Sequence, residues 1–231
     1  NLPALGHPYK PGIQVMIGRI REWLKRKFPV RDSRRIFRTI YHDREWDTGE
    51  TLSGPGSTIS YTKDLRVQLP LLLSKWDIGS LLDAPCGDYH WMSQTKLNGI
   101  EYTGADVVAE LIESNRQKYP GIKFLVADIT TDLLPRTDAV LCRDCFIHLS
   151  NRQVLMAIRQ FKKSGIRYMI ASTYPVEMNE EIPTGYYRPV NLEKTPFNLP
   201  APVEMIKDYP DGEVERYLGM WDLNQSGVGS Q

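Results

Sequence analysis

The residues able to do chemistry in this chain stand at regular places behind short apolar runs. Asp83 closes SLLD and opens DAPCGDYHW, residues 83–91, whose only glycine is Gly87. Asp106 ends EYTGAD, 23 residues after Asp83; Asp128 follows KFLVA, and Arg143 and Asp144 follow DAVLC. If those runs are strands of an open parallel sheet, all these positions meet at the crevice beyond the strand ends, where such sheets bind ligands. An acid at the end of the second strand suits the two hydroxyls of an adenosine ribose, which gives Asp106 and the adjoining Val107 that task. Asp128 suits the adenine amino group and Ile129 its ring. Asp83, Ala84, Pro85 and Gly87 then border the rest of the cofactor. A pyrophosphate there needs several glycines and no inward carboxylate. Asp83 and Asp88 would repel phosphate and attract cations, so the loop fits the ammonium and sulfonium of S-adenosylmethionine better than a dinucleotide. Asp83 and Asp128 could also be turn residues or helix caps, but three Asp at three strand ends argue for a ligand. Cys86 reads as a small side chain in a tight turn rather than as a nucleophile.

The elements that must position these residues are legible from residue 80 onward. SLLDA, EYTGAD, KFLVADI, DAVLCRD and RYMIAST read as five strands. HWMSQTKL, VVAELIESNRQKY and SNRQVLMAIRQFKKSG, lying between them, read as helices. In the last, Ser150 and Gln153 predict a capping box, Val154, Ile158 and Phe161 share a face, and Gly165 predicts the stop. Strands alternating with helices predict right-handed crossovers and a mainly parallel sheet. PVEMIKDY and ERYLGMWDL flank the turn signal Pro210-Asp211-Gly212 and predict a closing antiparallel hairpin. The expected architecture is therefore α/β and Rossmann-like, a seven-stranded sheet with an N-terminal helical extension. Helices are expected around 13–28, 33–41 and 58–75. The division expected is residues 1–57 as extension and lid, and 58–231 as the cofactor-binding domain.

DAPCGDYHW, EYTGAD, FLVADI and LCRDCFIHLS stand in the order and spacing of the class I S-adenosylmethionine-dependent methyltransferases. Residues 60–225 resemble that family, which implies this fold and cofactor. The loop departs from the family's D-x-G-x-G-x-G, with Pro85 and Tyr89 in place of the first and third glycines. Within the class, SGPGS, D-x-P-C-G-D, C-R-D-C-x-x-H-L and PFNLP resemble a bacterial and viral branch associated with glycan-building enzymes. That resemblance points to O-methylation of a sugar or glycan acceptor. A sugar hydroxyl needs a general base, and RDCFIHLS offers Asp144 and His148 as catalytic candidates. His148 is the first choice, since its ordinary pKa of ~6.5 suits neutral pH. Asp144 then holds the imidazole, binds the hydroxyl or is itself the base; alternatively, His148 only caps a helix or packs beside adenine. Arg143 reads as cofactor contact, substrate anchor or partner of Asp144. Residues 53–57, including Ser57, read either as a plain helix-start loop or as a lid over the methionine carboxylate, with Arg66 as charge partner. TGYYRPVNLEKTPFNLP offers Tyr186, Tyr187, Arg188, Asn191, Phe197 and Asn198 to an acceptor, or else is a loop stiffened by proline. No metal site is expected, as nothing has metal-specific spacing. The rival readings are a methyltransferase of a small metabolite or of RNA, and a cofactor-binding module without catalysis.

Composition sets outer bounds. With 41% hydrophobic and 25% charged residues, the 231-residue chain is ordinary globular protein. No apolar run approaches the ~18 residues of a membrane span. The three cysteines, an odd number, read as reduced thiols of a cytoplasmic protein rather than as a disulfide framework or zinc knot. The net charge of +1 hides an asymmetry: residues 1–50 hold 11 Lys and Arg against 6 Asp and Glu, the remainder 18 against 22. Ile13, Met16, Ile17, Ile20, Trp23 and Leu24 recur at helical spacing, so the early cations form one face of an amphipathic helix. That face is either solvated or a surface for an anionic partner; without interleaved aromatics, nucleic acid is the weaker candidate. The start at Asn1 suggests excision from a longer chain.

Overall fold

A computed structural model of the protein describes residues 33–225. The basic helix expected over 13–28, and the surface it would offer, lie outside the described residues. Seven strands form one sheet: β1 (Ser80–Asp83), β2 (Glu101–Asp106), β3 (Lys123–Val126), β4 (Ala139–Cys142), β5 (Tyr168–Thr173), β6 (Glu204–Lys207) and β7 (Tyr217–Asp222). Their order is β3-β2-β1-β4-β5-β7-β6. The first five are parallel, and β7 runs antiparallel between β5 and β6. This is the sheet expected from the apolar runs, closing hairpin included. The order reverses between β1 and β4, which opens the crevice at their carboxyl ends. The register sets Asp83 level with Gly104 and Leu141, so the residues after these strands share one edge.

Both faces of the sheet are buried, because neighbouring residues on each strand point to opposite sides. Leu81, Leu141, Ile170 and Met220 face the core layer formed by Leu65, Leu69, Leu72 and Leu73 of the helix Leu65–Lys75.

 That helix, α1, covers this side together with α2 (Ala109–Lys118), which contributes Ile112. Leu82, Val140, Met169, Ala171 and Trp221 point the other way, onto α3 (Asn151–Lys163). α3 buries Val154, Ala157, Ile158 and Phe161, spaced to form one stripe along the helix. The Ser150 side chain accepts from the Gln153 N–H, and the Gln153 side chain reaches back, completing the expected capping box. At the other end Gly165 takes φ +73°, its N–H donates to the Lys162 carbonyl and that of Ile166 to the Phe161 carbonyl. Those two bonds make the glycine stop a Schellman motif.

A further helix, Ser33–His42, which we term the cap helix, lies over the carboxyl edge. Ser33 accepts from the Gln153 side chain, Arg34 pairs with Asp132, and Arg38 pairs with Glu110 at 2.6 Å. It belongs to the same packed unit as the sheet.

Two expected helices are shorter than the periodicity predicts. HWMSQTKL contains only the 3-10 turn Met92–Gln94. Ser93 and Thr95 hydroxyls there bond the carbonyls of His90 and Trp91, competing with helix extension. Residues 58–64 are turns, again tied by threonine hydroxyls, and α1 starts only at Leu65. Phe161 is fully buried in the stripe of α3. Phe161→Ala should therefore lower the unfolding free energy by about 3–5 kcal/mol, measured by denaturant titration.

Candidate functional site

One pocket opens at the switch point, lined by residues that follow β1, β2, β3 and β4. It brings together Asp83, Pro85, Gly87, Asp106, Val107, Asp128, Ile129, Arg143, Asp144, His148 and Ser57 of the sequence-derived set. Cys86 and Cys145 also border it.

The turn after β1 keeps its shape without the two missing glycines. Gly87 has φ +54°, and a Cβ there would lie 2.1 Å from the Ser53 hydroxyl. Tyr89, at the third glycine position, adopts φ +58° and buries its ring against Tyr102, Tyr119 and Phe124, with centroids 4.9–5.3 Å away. Ring burial offsets the cost of a left-handed backbone at a non-glycine residue. Cys86 donates its N–H to the Ala105 carbonyl, and burial raises its thiol pKa well above the ordinary value, as a steric role requires. Cys142 and Cys145, spaced C-x-x-C, are likewise free and buried.

Asp106 accepts from the Val108 N–H at 2.9 Å and the Gly87 N–H at 3.2 Å, one on each carboxylate oxygen. Each oxygen keeps a further lone pair, which is what a pair of ribose hydroxyls requires. Burial raises its pKa to about 6, against the lowering effect of those N–H groups. Asp83 accepts from the Tyr102 hydroxyl at 2.7 Å, and burial lifts it to about 7. Asp128 spends Oδ1 on the N–H and hydroxyl of Thr130, 2.8 and 2.6 Å away. Asp88, by contrast, faces away from the pocket: Thr51, Ser53 and the Leu52 N–H all bond its carboxylate, at 2.8–3.1 Å. It fastens the 51–57 segment onto the β1 turn, so its expected attraction for a cofactor cation is spent there.

The end of β4 is a charge cluster. Arg143 donates to Asp208 at 2.9 and 3.0 Å and to the Gly56 carbonyl at 2.8 Å. Arg216 donates to both oxygens of Asp144, at 2.8 and 2.7 Å, and lies 3.1 Å from Asp208. Asp144 itself has φ +51° and its N–H donates to the Ser172 hydroxyl. Burial works against its ionisation, but Arg143 and Arg216 hold its pKa below the usual carboxylate value. Asp208 and Arg216 were not singled out in the sequence. They flank the Pro210-Asp211-Gly212 turn and pair across it, with the Asp208 N–H donating to the Arg216 carbonyl. Opposite charges placed on either side of a hairpin signal were the clue.

His148 ends the 3-10 turn Phe146–His148. Its Nδ1 lies 3.0 Å from the Tyr186 carbonyl, and its ring packs against Trp46 with centroids 4.6 Å apart and planes tilted by 30°. A carbonyl can only accept, so Nδ1 carries the proton and Nε2 presents its lone pair. Burial lowers the pKa of His148, against the raising effects of the Tyr186 bond and Asp144. The neutral ring is therefore the state at neutral pH.

Other residues of the sequence-derived set lie outside the pocket lining. Ala84 is fully buried, its N–H donating to the Leu141 carbonyl. Arg66, on the first turn of α1, reaches back to the Ile59 carbonyl at 3.1 Å, away from the pocket. Arg188 is buried and bonded to main-chain carbonyls, and Asn191 is spent on the Val176 carbonyl and the Glu193 N–H. Phe197 is likewise buried in the core. Tyr186 and Tyr187 are exposed beside His148, at 66% and 58%. The walls contributed by Phe37, Ile40, Trp46 and Leu52 were not foreseen; their spacing reads only as helix and loop packing.

The donor set fits S-adenosylmethionine. Buried carboxylates dominate the pocket, and the one cationic wall residue among the described residues, Arg143, is neutralised by Asp208, which leaves little for a pyrophosphate. Among the described residues, no group of three or more His, Cys, Asp or Glu could hold a metal ion, and no helix is long and apolar enough to cross a membrane.

Residues 82–168 match the family model for a methyltransferase domain. No curated protein matches the sequence. Among solved structures, a 1,6-didemethyltoxoflavin-N1-methyltransferase from Burkholderia thailandensis, with S-adenosylhomocysteine bound, aligns over 94% of this chain and 92% of its own, at TM-score 0.57 and 14% identity. Magnesium protoporphyrin IX methyltransferase from Synechocystis PCC 6803, with S-adenosylmethionine bound, aligns over 83% of this chain and 98% of its own, at TM-score 0.55 and 18% identity. The chain thus matches a methyltransferase domain over residues 82–168 and has the Rossmann-like α/β fold of the class I S-adenosylmethionine-dependent methyltransferases.

Asp83 supplies a stability test. A carboxyl lifted to about 7 in the folded state, against ~3.9 unfolded, keeps its proton where the unfolded chain has lost it. Its contribution is greatest below pH ~4 and is lost as pH rises through about 7. Asp83→Asn should flatten that fall in cofactor-free Tm between about pH 4 and 7, measured by scanning calorimetry.

Proposed function

We propose that this chain is an S-adenosylmethionine-dependent O-methyltransferase acting on a sugar hydroxyl of a glycan, with His148 as general base. The observation that carries the reading is the 3.0 Å contact of His148 Nδ1 with the Tyr186 carbonyl, which places the proton on Nδ1 and, among the described residues, leaves Nε2 open on a residue that lines the pocket. A hydroxyl needs a proton acceptor before it attacks, whereas a neutral amine does not. Asp144 is the weaker candidate, because both its oxygens are held by Arg216. Its part is that of a fixed anion beside the imidazole, able to stabilise the ring once it takes a proton.

S-adenosylmethionine supplies the methyl group. Asp106 binds the ribose hydroxyls, Asp128 and Ile129 the adenine, and Asp83 the cationic methionine end. Ser57 and the rest of the 51–57 segment, fastened by Asp88, exclude water from that end. Exposed Tyr186 and Tyr187, with Trp46, give flat amphipathic faces of the kind that stack on sugar rings. The acceptor does not follow from the fold, since neighbours of the same fold carry names as different as a porphyrin and a toxoflavin methyltransferase.

The test is calorimetric titration with S-adenosylhomocysteine, followed by labelled methyl transfer to nucleotide sugars and short oligosaccharides. Binding with label in a saccharide supports the reading; binding with label only in RNA or small metabolites overturns the acceptor. Asp106→Ala should abolish S-adenosylhomocysteine binding in the same titration. His148→Ala should cut kcat about 10²–10⁴-fold while leaving cofactor affinity near wild type. As the base must be unprotonated, kcat should rise with pH along an acid limb centred below the ordinary ~6.5, then level off by neutrality.

A further inference from the structure

The segment behind the exposed tyrosines holds the His148 turn by an unusual set of bonds. A three-residue 3-10 turn leaves its last carbonyls without partners of its own. Here four consecutive carbonyls are served by residues 185–188. Arg188 Nη1 donates to the Phe146 carbonyl at 2.9 Å and Nη2 to the Leu149 carbonyl at 3.0 Å. The Arg188 N–H donates to the Ile147 carbonyl, and the Gly185 N–H to that of His148, at 3.0 and 2.8 Å. Nη2 also reaches Asn151 Oδ1 at 2.7 Å, and Nε the Glu180 carbonyl at 2.6 Å. Arg188 is 2% exposed. No carboxylate stands within ion-pair distance of it among the described residues; Glu181 and Glu180 act on it from farther off, and its hydrogen bonds go to main-chain carbonyls and to Asn151. An apolar side chain would fill the same space at less cost, unless the fork itself is needed.

We infer that Arg188 is a positioning residue for His148: by gripping the carbonyls on both sides of the ring it fixes where Nε2 stands in the pocket and, through the same strap, which nitrogen is protonated. The inference rests on the reading of His148 as base. It also gives the strap two duties at once, since Tyr186 in its middle both accepts from Nδ1 and offers its ring to the acceptor. The charged and titratable groups around the imidazole are Asp144, which favours its protonation, Arg188, which opposes it, and the Tyr187 phenol, 6.1 Å away between ring centroids. Trp46, on its other face, is neutral. Burial lowers the pKa of Arg188 to about 10, which leaves it cationic at every pH of interest.

The test compares the full chain with Arg188→Met, which removes cation and fork, and Arg188→Lys, which keeps the cation alone. Nuclear magnetic resonance of labelled histidine, with His148 assigned through His148→Gln, reads its titration and tautomer; calorimetry with S-adenosylhomocysteine reads the cofactor end. In Arg188→Met the His148 titration should move to higher pH and the Nε2–H tautomer should appear, with S-adenosylhomocysteine affinity within about twofold. In Arg188→Lys the tautomer should mix while the titration stays near wild type. With the saccharide that accepts label, kcat in both should fall about 100-fold, as for a small misplacement of a reacting group. An unchanged His148 titration and tautomer in folded Arg188→Met overturns the inference. If that variant does not fold, a wild-type tautomer in Arg188→Lys overturns it instead. A raised titration with an unmoved pH–rate profile supports the role of Arg188 and overturns His148 as base.

Discussion

Two guanidiniums and two carboxylates meet at the end of β4, and the remainder of the pocket is arranged around them. Arg143 and Arg216 sit against Asp208 and Asp144, with all but Asp144 nearly excluded from solvent. Such a cluster is a weak source of net stability, yet removing one member leaves an uncompensated buried charge at a cost of about 3–5 kcal/mol. Its effect is to fix geometry. Arg143 ties the Gly56 carbonyl to β4, Arg216 fixes the Asp144 carboxylate, and Asp208 binds both arginines to the closing hairpin. Gly56 is glycine for the same reason, since a Cβ there would stand 2.9 Å from Asp144 Oδ2.

The segment 51–57 is therefore held from two sides, by Asp88 on the β1 turn and by Arg143 on β4. The β1 turn and the segment are shaped for each other. Gly87 leaves room for the Ser53 hydroxyl, and that hydroxyl in turn accepts from the Asp88 N–H at 3.1 Å. A glycine-rich turn would make the same approach to a ligand with a looser backbone. This chain instead stiffens the turn with Pro85 and the buried ring of Tyr89.

The sheet was legible in the sequence because each strand is a short apolar run punctuated by turn residues, and both faces are covered. The α3 caps and the three strand-end aspartates were legible for a related reason: their chemistry depends on near neighbours in the chain. What escaped was long-range or conformational. Arg188 looks like a surface cation in an aromatic loop until the carbonyls it serves, some 40 residues earlier, are seen. Arg66 was read as charge partner of a methionine carboxylate under a 53–57 lid, but from the first turn of α1 its side chain reaches the Ile59 carbonyl. Asp144 and His148 were both candidate bases, with His148 the first choice; that Arg216, 72 residues from Asp144, holds both oxygens of Asp144 was not legible. HWMSQTKL has helical spacing, yet its hydroxyls take the carbonyls a helix would need.

The place of β7 in the sheet has a consequence for how the chain is made. Synthesis delivers the five parallel strands first, and they can pair with one another as soon as β5 has emerged. At that stage Arg143 and Asp144 are present at the end of β4, but their opposite charges on the hairpin are still to come. Asp208 arrives with the end of β6, and Arg216 just ahead of β7, which must then slot between β6 and β5. The nascent domain thus has a sheet before it has a finished pocket, and the pocket walls around β4 acquire their fixed positions only with the last strand to dock.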